Sequence, residues 1–276
     1  MTDRPALRLG LVLRNMGPQS TAETLAAGAR AAEAAGIDDV WVTDHLAIPP
    51  DDAAGSGGRY LDPLATLAWL AGCTERLGLG TGVLNLPYRP PLPTAKAIAT
   101  VQELSGGRLR LGVGVGWMKP EFRALGVDRS ERGRRTDETL AFLAACFASD
   151  EVTAHGQAFL FKPRPERPPI FVGGGPPHAL ARAARFGEGW MPMGGDPATL
   201  REPIAELRHR FADAGRGAPE VVCMTALPLG DPEEAAARIA ALRDAGVTRV
   251  AAGGRYADAD GFARLVDGMA AARDRL

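Results

Sequence analysis

DPEEAAARIAALRDAGVTRVAAGG, residues 231–254, reads as one complete structural unit. Asp231 is placed to cap a helix, Pro232 takes the first helical position, where its missing N–H is no loss, and Glu234 stands where a capping box wants an acid. Gly246 stops the helix, and an apolar run at 248–252 follows at once. Residues 21–43 repeat the plan, with a helix from Thr21 to Ala35, a stop at Gly36 and a strand at 39–43. AAGIDDVWV and DAGVTRVAA are thus one helix-to-strand turn used twice. This alternation argues for βα units and a parallel sheet.

Working outward from these two units, strands are expected at 7–13, 39–43, 77–83, 109–115, 169–173, 188–193, 220–225 and 248–252, each followed by one helix. In the last helix Phe262, Leu265, Val266 and Met269 recur at helical spacing, the stripe an outer helix buries against strands. Eight βα units in 276 residues match a (β/α)8 TIM barrel of the α/β class, with a doubly wound open sheet as the competing architecture. No linker divides the chain, so 1–276 is expected to be a single domain. VTAHGQAFLF predicts a small β-hairpin insertion at about 150–168. A second long connection, 44–61, falls on the strand-to-helix side, where barrels place their chemistry. Trp69 and Leu70 read as core packing.

The composition removes several classes of function. With 46% hydrophobic and 24% charged residues the chain is neither disordered nor fibrous. Its 32 basic and 33 acidic residues nearly cancel, and no basic run tracks an aromatic cluster, so no nucleic-acid partner is expected. The densest basic patch, Arg129, Arg132, Arg134 and Arg135, is interleaved with Glu131, Asp137 and Glu138 and reads as a solvated helix face. Cys73, Cys146 and Cys223 lie too far apart for a disulfide framework or a zinc knuckle. Neither a leader nor an apolar span is visible, so a cytoplasmic protein without a membrane partner is expected.

Several residues could carry chemistry. Asp44-His45 ends the second strand, a position that projects into a barrel mouth, and histidine exchanges protons near neutral pH. LGVGVGW at 111–117 is not a dinucleotide fingerprint, because Trp117 occupies the place of a required small residue. Its glycines instead admit a flat ligand or relieve crowding inside the barrel. Gly173-Gly174-Gly175-Pro176-Pro177 joins a strand to a helix and can aim backbone N–H groups at an anion, although the prolines remove two donors. Gly253-Gly254 competes for that role. Glu121 reads more readily as an acid in a helix's first turn than as a catalytic group. His155, His178 and His209 form no metal-ligand set.

Taken together, VWVTDHL at 40–46, the block TGVLNLPYRPPLPTAKAIATVQELSGGRLRLGVGVGWMKPEF at 81–122 and FVGGGPPHALARAARFGEGWMP at 171–192 resemble the luciferase-like monooxygenase superfamily. The likeness is to its branch of deazaflavin (coenzyme F420) dependent oxidoreductases. It implies a (β/α)8 barrel, often a homodimer, holding a flavin or deazaflavin at the strands' C-terminal end. It further implies that Asp44 contacts the cofactor and that His45 is the proton-transfer group. Gly82-Val83 matches the family's third-strand bulge, which commonly contains a cis peptide, and Asn85 lies just beyond it. Val115 and Gly116 match cofactor-lining positions, and Gly174, Gly175, Pro177 and His178 match the phosphate-side loop. The sequence departs from the sugar-phosphate dehydrogenase members, which have an acid where Trp117 stands. Glu121 is a loosely placed substitute for that acid, and Trp117 could cover an apolar substrate.

The expected function is hydride transfer between coenzyme F420 and a small organic substrate, with His45 exchanging the proton. One alternative keeps the fold and uses FMN as a monooxygenase; a second is a barrel that binds flavin or deazaflavin without catalysis. A Schiff-base lyase ranks below these, because Lys96, Lys119 and Lys162 all fall in helices or loops.

Overall fold

The structure, a computed structural model, describes residues 7–276. Four strands come first in chain order: β1 (Arg8–Val12), β2 (Asp39–Val42), β3 (Gly78–Asn85) and β4 (Leu109–Gly114). A hairpin of β5 (Glu151–Ala154) and β6 (Gln157–Leu160) follows, turning on His155 and Gly156 at positive φ. Then come β7 (Ile170–Gly173), β8 (Gly189–Met191), β9 (Glu220–Ala226) and β10 (Arg249–Gly253). The strands other than β5 and β6 form one closed parallel barrel in the order β1-β10-β9-β8-β7-β4-β3-β2. Closure rests on the pairing of β1 with both β2 and β10, which excludes the open doubly wound sheet. Each expected strand is present to within two residues at either end.

The helices on the outside are α1 (Ala22–Ala34), α2 (Pro63–Ala71), α3 (Pro91–Leu104), α4 (Lys119–Ala124), α5 (Arg132–Ala148), α6 (His178–Phe186), α7 (Pro197–Asp213), α8 (Pro232–Ala245) and α9 (Ala259–Arg273). One helix per strand is therefore not the pattern at β4, which is followed by both α4 and α5. Gly126 at φ +65 ends the first of these, and Asp128 caps a 3-10 turn that leads into the second. In α8 the reading of the sequence holds in detail: Asp231 accepts hydrogen bonds from the N–H groups of Glu233 and Glu234, and Gly246 closes the helix in the left-handed region. On α2, Leu64, Leu67 and Leu70 share the inward face, which leaves Trp69 pointing out and 41% exposed, not packed in the core.

Large side chains fill the barrel interior. Trp41, Phe171, Met191, Val222, Met224 and Ala251 form a buried cluster on which Val12 and Val83 rest. Trp41 is accommodated because its flanking strands carry glycine beside it. A Cβ built on Gly80 would stand 2.2 Å from the indole ring, and one on Gly10 would stand 2.7 Å from its Nε1. The N-terminal end is plugged by the buried ion pair of Arg249 with Asp39, joined by Glu220. Closed below and filled within, the barrel is left with one usable face, the mouth at the strands' C-terminal ends.

Candidate active site

His45 lies three residues beyond β2, and its Nδ1 stands 3.0 Å from Oε2 of Glu121. Glu121 belongs to the first turn of α4, as expected, but it is not a solvated dipole partner: its carboxylate is wholly buried and takes four donors. Oε1 accepts from the N–H groups of Leu46 and Ala47, and Oε2 accepts from His45 and from the Tyr88 hydroxyl at 3.0 Å. Burial pushes the Glu121 carboxyl up, but the hydrogen bonds from His45 and from the Ala47 and Leu46 backbone outweigh it and hold the group below the usual carboxylate range. An ionised carboxylate can only accept, so Nδ1 of His45 carries a hydrogen and Nε2 is left to exchange a proton. Tyr60 meets the imidazole edge-on at 5.0 Å between ring centroids, and Trp117 does so at 6.0 Å from the other element. Trp117 is itself 65% exposed, so it stands over the mouth as a loosely packed flank.

Asp44, beside His45, is buried and committed inward. Arg89 grips its carboxylate with both terminal nitrogens, at 2.7 and 2.8 Å, and the Asn85 N–H donates to the same group at 2.8 Å. The Asn85 side chain returns a bond to the Asp44 carbonyl at 3.0 Å. Arg89 also reaches Asp62, so a single guanidinium ties together the start and the end of the long 44–61 connection. Asp44 and Asn85 thus form one buttress behind the mouth. Burial pushes the Asp44 carboxyl up against the opposing pull of Arg89. Arg89 was not singled out from the sequence, where an arginine before two prolines gives no sign of a buried partner.

The floor is made by β3. Its register shifts between Thr81 and Leu84, and the Gly82–Val83 peptide is cis, as the family resemblance implies. Gly82 has no room for a side chain, since a Cβ there would lie 2.0 Å from the Met224 methyl. Val83 fills the space that Gly114 and Gly173 leave open, their built Cβ positions falling 2.5 and 2.9 Å from its methyl groups. A Cβ on Gly112 would strike the Thr81 carbonyl at 2.1 Å, and Gly116 adopts φ +73 against Tyr88. Of the two readings of the alternating glycines, relief of crowding accounts for these three positions.

Gly174, Gly175, Val115 and His178 meet around a cavity of about 350 Å³ that also takes in Ser130, Arg132 and Arg182. Pro177 precedes α6 after a cis bond from Pro176, and no side chain caps that helix. Trp190 pins the loop by donating to the Gly174 carbonyl at 2.7 Å. The lining carries two guanidinium groups and no acid, although Arg182 is already paired with Asp137 just outside it. In the rival pair Gly254 is packed against Leu265, and a Cβ on Gly253 would have its nearest neighbours, Thr225 and Val12, at 3.9 Å. The basic patch is only in part the solvated face expected. Arg134 and Arg135 pair with Glu131 and Glu138 at the surface, whereas Arg132 lines the cavity and Asp137 orients Arg182 at 2.6 Å.

Comparison with known proteins identifies the chain as a member of the luciferase-like monooxygenase family, whose model matches residues 10–263. It is accordingly an oxidoreductase of that family. One relative, an F420-dependent hydroxymycolic acid dehydrogenase of Mycobacterium tuberculosis, is 32% identical over 71% of this chain and 55% of its own. Another, an FMNH2-dependent dimethylsulfone monooxygenase of Pseudomonas putida, is 30% identical over 62% of this chain and 50% of its own. Among solved structures, an F420-dependent secondary alcohol dehydrogenase in complex with an F420-acetone adduct superposes with a TM-score of 0.82 over 98% of this chain and all of that one, at 18% identity, a likeness of fold. No helix among the described residues is long and apolar enough to cross a membrane.

Proposed function

We propose that this protein is an F420-dependent oxidoreductase that transfers a hydride between the deazaflavin and a small organic substrate. The observation that carries the reading is the His45–Glu121 pair: a mouth histidine whose Nδ1 is held by a buried, ionised carboxylate at 3.0 Å. The chain also suits the cofactor. Val83 offers an apolar surface at the β3 bulge, and the cavity of Gly174, Gly175, Arg132, Arg182 and Ser130 has the donor chemistry for a phosphate-bearing tail. When bound, F420 supplies two-electron hydride chemistry at its ring.

The residues do the rest. Nε2 of His45 accepts the hydroxyl proton when an alcohol is oxidised and returns it when a C=O or C=N bond is reduced. Glu121 keeps the imidazole in one orientation. Tyr88 and the Leu46 and Ala47 backbone keep Glu121 ionised for that task. Asp44, Arg89 and Asn85 hold the strand ends that would carry the ring.

Replacing His45 with Gln tests this reading. F420 turnover should fall at least about 100-fold while F420 affinity is retained; unchanged turnover refutes it. A second reading, an FMN-dependent monooxygenase, is favoured by the Pseudomonas relative.

A further inference from the structure

We infer that Arg14 is the anchor for an anionic group, a carboxylate, on the substrate of this enzyme. This rests on the reading of the mouth as the reaction site. Arg14 lies two residues beyond the end of β1, on the mouth side. Its neighbour Asn15 fixes the segment by donating to the carbonyls of Thr43 and Leu61, both at 2.8 Å, and by accepting from the Thr43 N–H at 2.9 Å. The Arg14 N–H donates to the Tyr256 hydroxyl at 2.7 Å. The root of the side chain is therefore tied to β2, to the end of the 44–61 connection and to the segment after β10.

Its guanidinium, by contrast, is left underused. Nη2 makes one long bond, 3.3 Å, to the Gly55 carbonyl, and Nε is buried with no partner. Among the described residues no carboxylate pairs with Arg14, whereas Arg89, Arg182 and Arg249 each have one. A partly buried cation with unmade hydrogen bonds is unfavourable alone, and an incoming carboxylate meets its fork geometry with two bonds.

The location suits a substrate and not the cofactor's tail. In the closed order β1-β10-β9-β8-β7, Arg14, just after β1, and the Gly173–Gly175 cavity, at the end of β7, lie four strands apart, on opposite sides of an eight-stranded mouth. Arg14 is near His45: its charge pulls on the Tyr60 hydroxyl, against burial and Glu121, which push that group up, and the Tyr60 ring is 5.0 Å from the imidazole. The same charge opposes the burial that pushes the Tyr256 hydroxyl up to about 12. Geometry places the two on one side of the mouth: Asn15, next to Arg14, accepts from the Thr43 N–H, Met16 bridges to Tyr60, and the Tyr60 ring meets the imidazole, an arrangement that lets a remote carboxylate orient the reacting carbon.

Binding of acetate, lactate and benzoate, each against its own amide, tests this on the protein with and without F420. The wild type should bind at least one of these acids about tenfold tighter than the amide. Arg14→Gln should abolish that preference and Arg14→Lys should keep part of it, both variants melting as the wild type does. If no acid binds better than its amide, or if the preference survives Arg14→Gln, the assignment is wrong. F420 affinity, read in the same titrations, is a separate test: an acid preference in a protein that does not bind F420 leaves the Arg14 site standing and removes the F420 reading.

Discussion

His45 and Glu121 are separated by 76 residues of chain and meet at 3.0 Å, across the strand that lies between β2 and β4. The barrel order makes this contact: β2 delivers the imidazole, and the short helix after β4 delivers the carboxylate from behind. Glu121 touches no substrate in this arrangement. It acts through His45, and it is the group whose loss separates orientation from binding.

Glu121→Gln keeps the shape and removes the charge. On the proposed reading, kcat should fall about 100-fold while the F420 dissociation constant stays within about twofold. Steady-state kinetics with a fluorescence titration of F420 checks this. Equal losses in kcat and F420 affinity would mean that Glu121 shapes the mouth and does not serve His45.

The same carboxylate links stability to pH. Its folded value lies below its ordinary 4.5, so the folded state binds the proton less readily than the unfolded chain. Its contribution is complete above about pH 4.5 and is lost as the pH falls through the lower folded value. Denaturant melts at pH 7 and pH 4 should therefore show a smaller acid loss in Glu121→Gln than in the wild type. An equal loss in both would contradict the hydrogen-bonding account.

Among the described residues Arg89 is the only guanidinium on the buried Asp44 carboxylate, and it grips both oxygens. Arg89→Gln leaves that charge without its counterion in a dry site and should cost about 3–5 kcal/mol of stability. Arg89→Lys should recover part of this, because an ammonium restores the charge but not the two-pronged geometry. Urea unfolding of the two variants measures both effects.

Glycine at 112 answers to backbone, whereas glycine at 217 answers to nothing. A Cβ at Gly112 would sit 2.1 Å from the Thr81 carbonyl and 2.7 Å from the Met191 sulfur, while one at Gly217 has no neighbour within 4 Å. Gly112→Ala should destabilise the barrel by more than about 2 kcal/mol. Gly217→Ala should change stability by less than about 0.5 kcal/mol. Thermal melts compare them.

Much of the barrel was legible because each βα unit carries its own punctuation. Asp231, Pro232 and Gly246 are local signals, and their reading needed no knowledge of the rest of the fold. The doubling of helices after β4 was missed because Gly126 and Asp128 sit inside a stretch whose charge pattern stays helical on both sides. Site residues divide the same way. His45 could be found from its place after a strand, but the partners that give it a task, Glu121 and Tyr88, come from other units and acquire meaning only when the strands close. Arg89 and Arg14 are charged residues beside turns, and nothing in their immediate neighbours distinguishes the one with a buried carboxylate from the one without. Trp69 misled because an indole in an apolar run was assigned to the core, when helical phase had already placed Leu67 and Leu70 there.

The central claim concerns which ring the mouth takes, and equilibrium binding of F420 and of FMN to the purified protein tests it most directly. The account predicts saturable F420 binding at least about tenfold tighter than FMN, weakened by salt because on the proposed reading two arginines and the backbone of Gly174 and Gly175 would hold its tail. Tight FMN binding with no measurable affinity for F420 would contradict it.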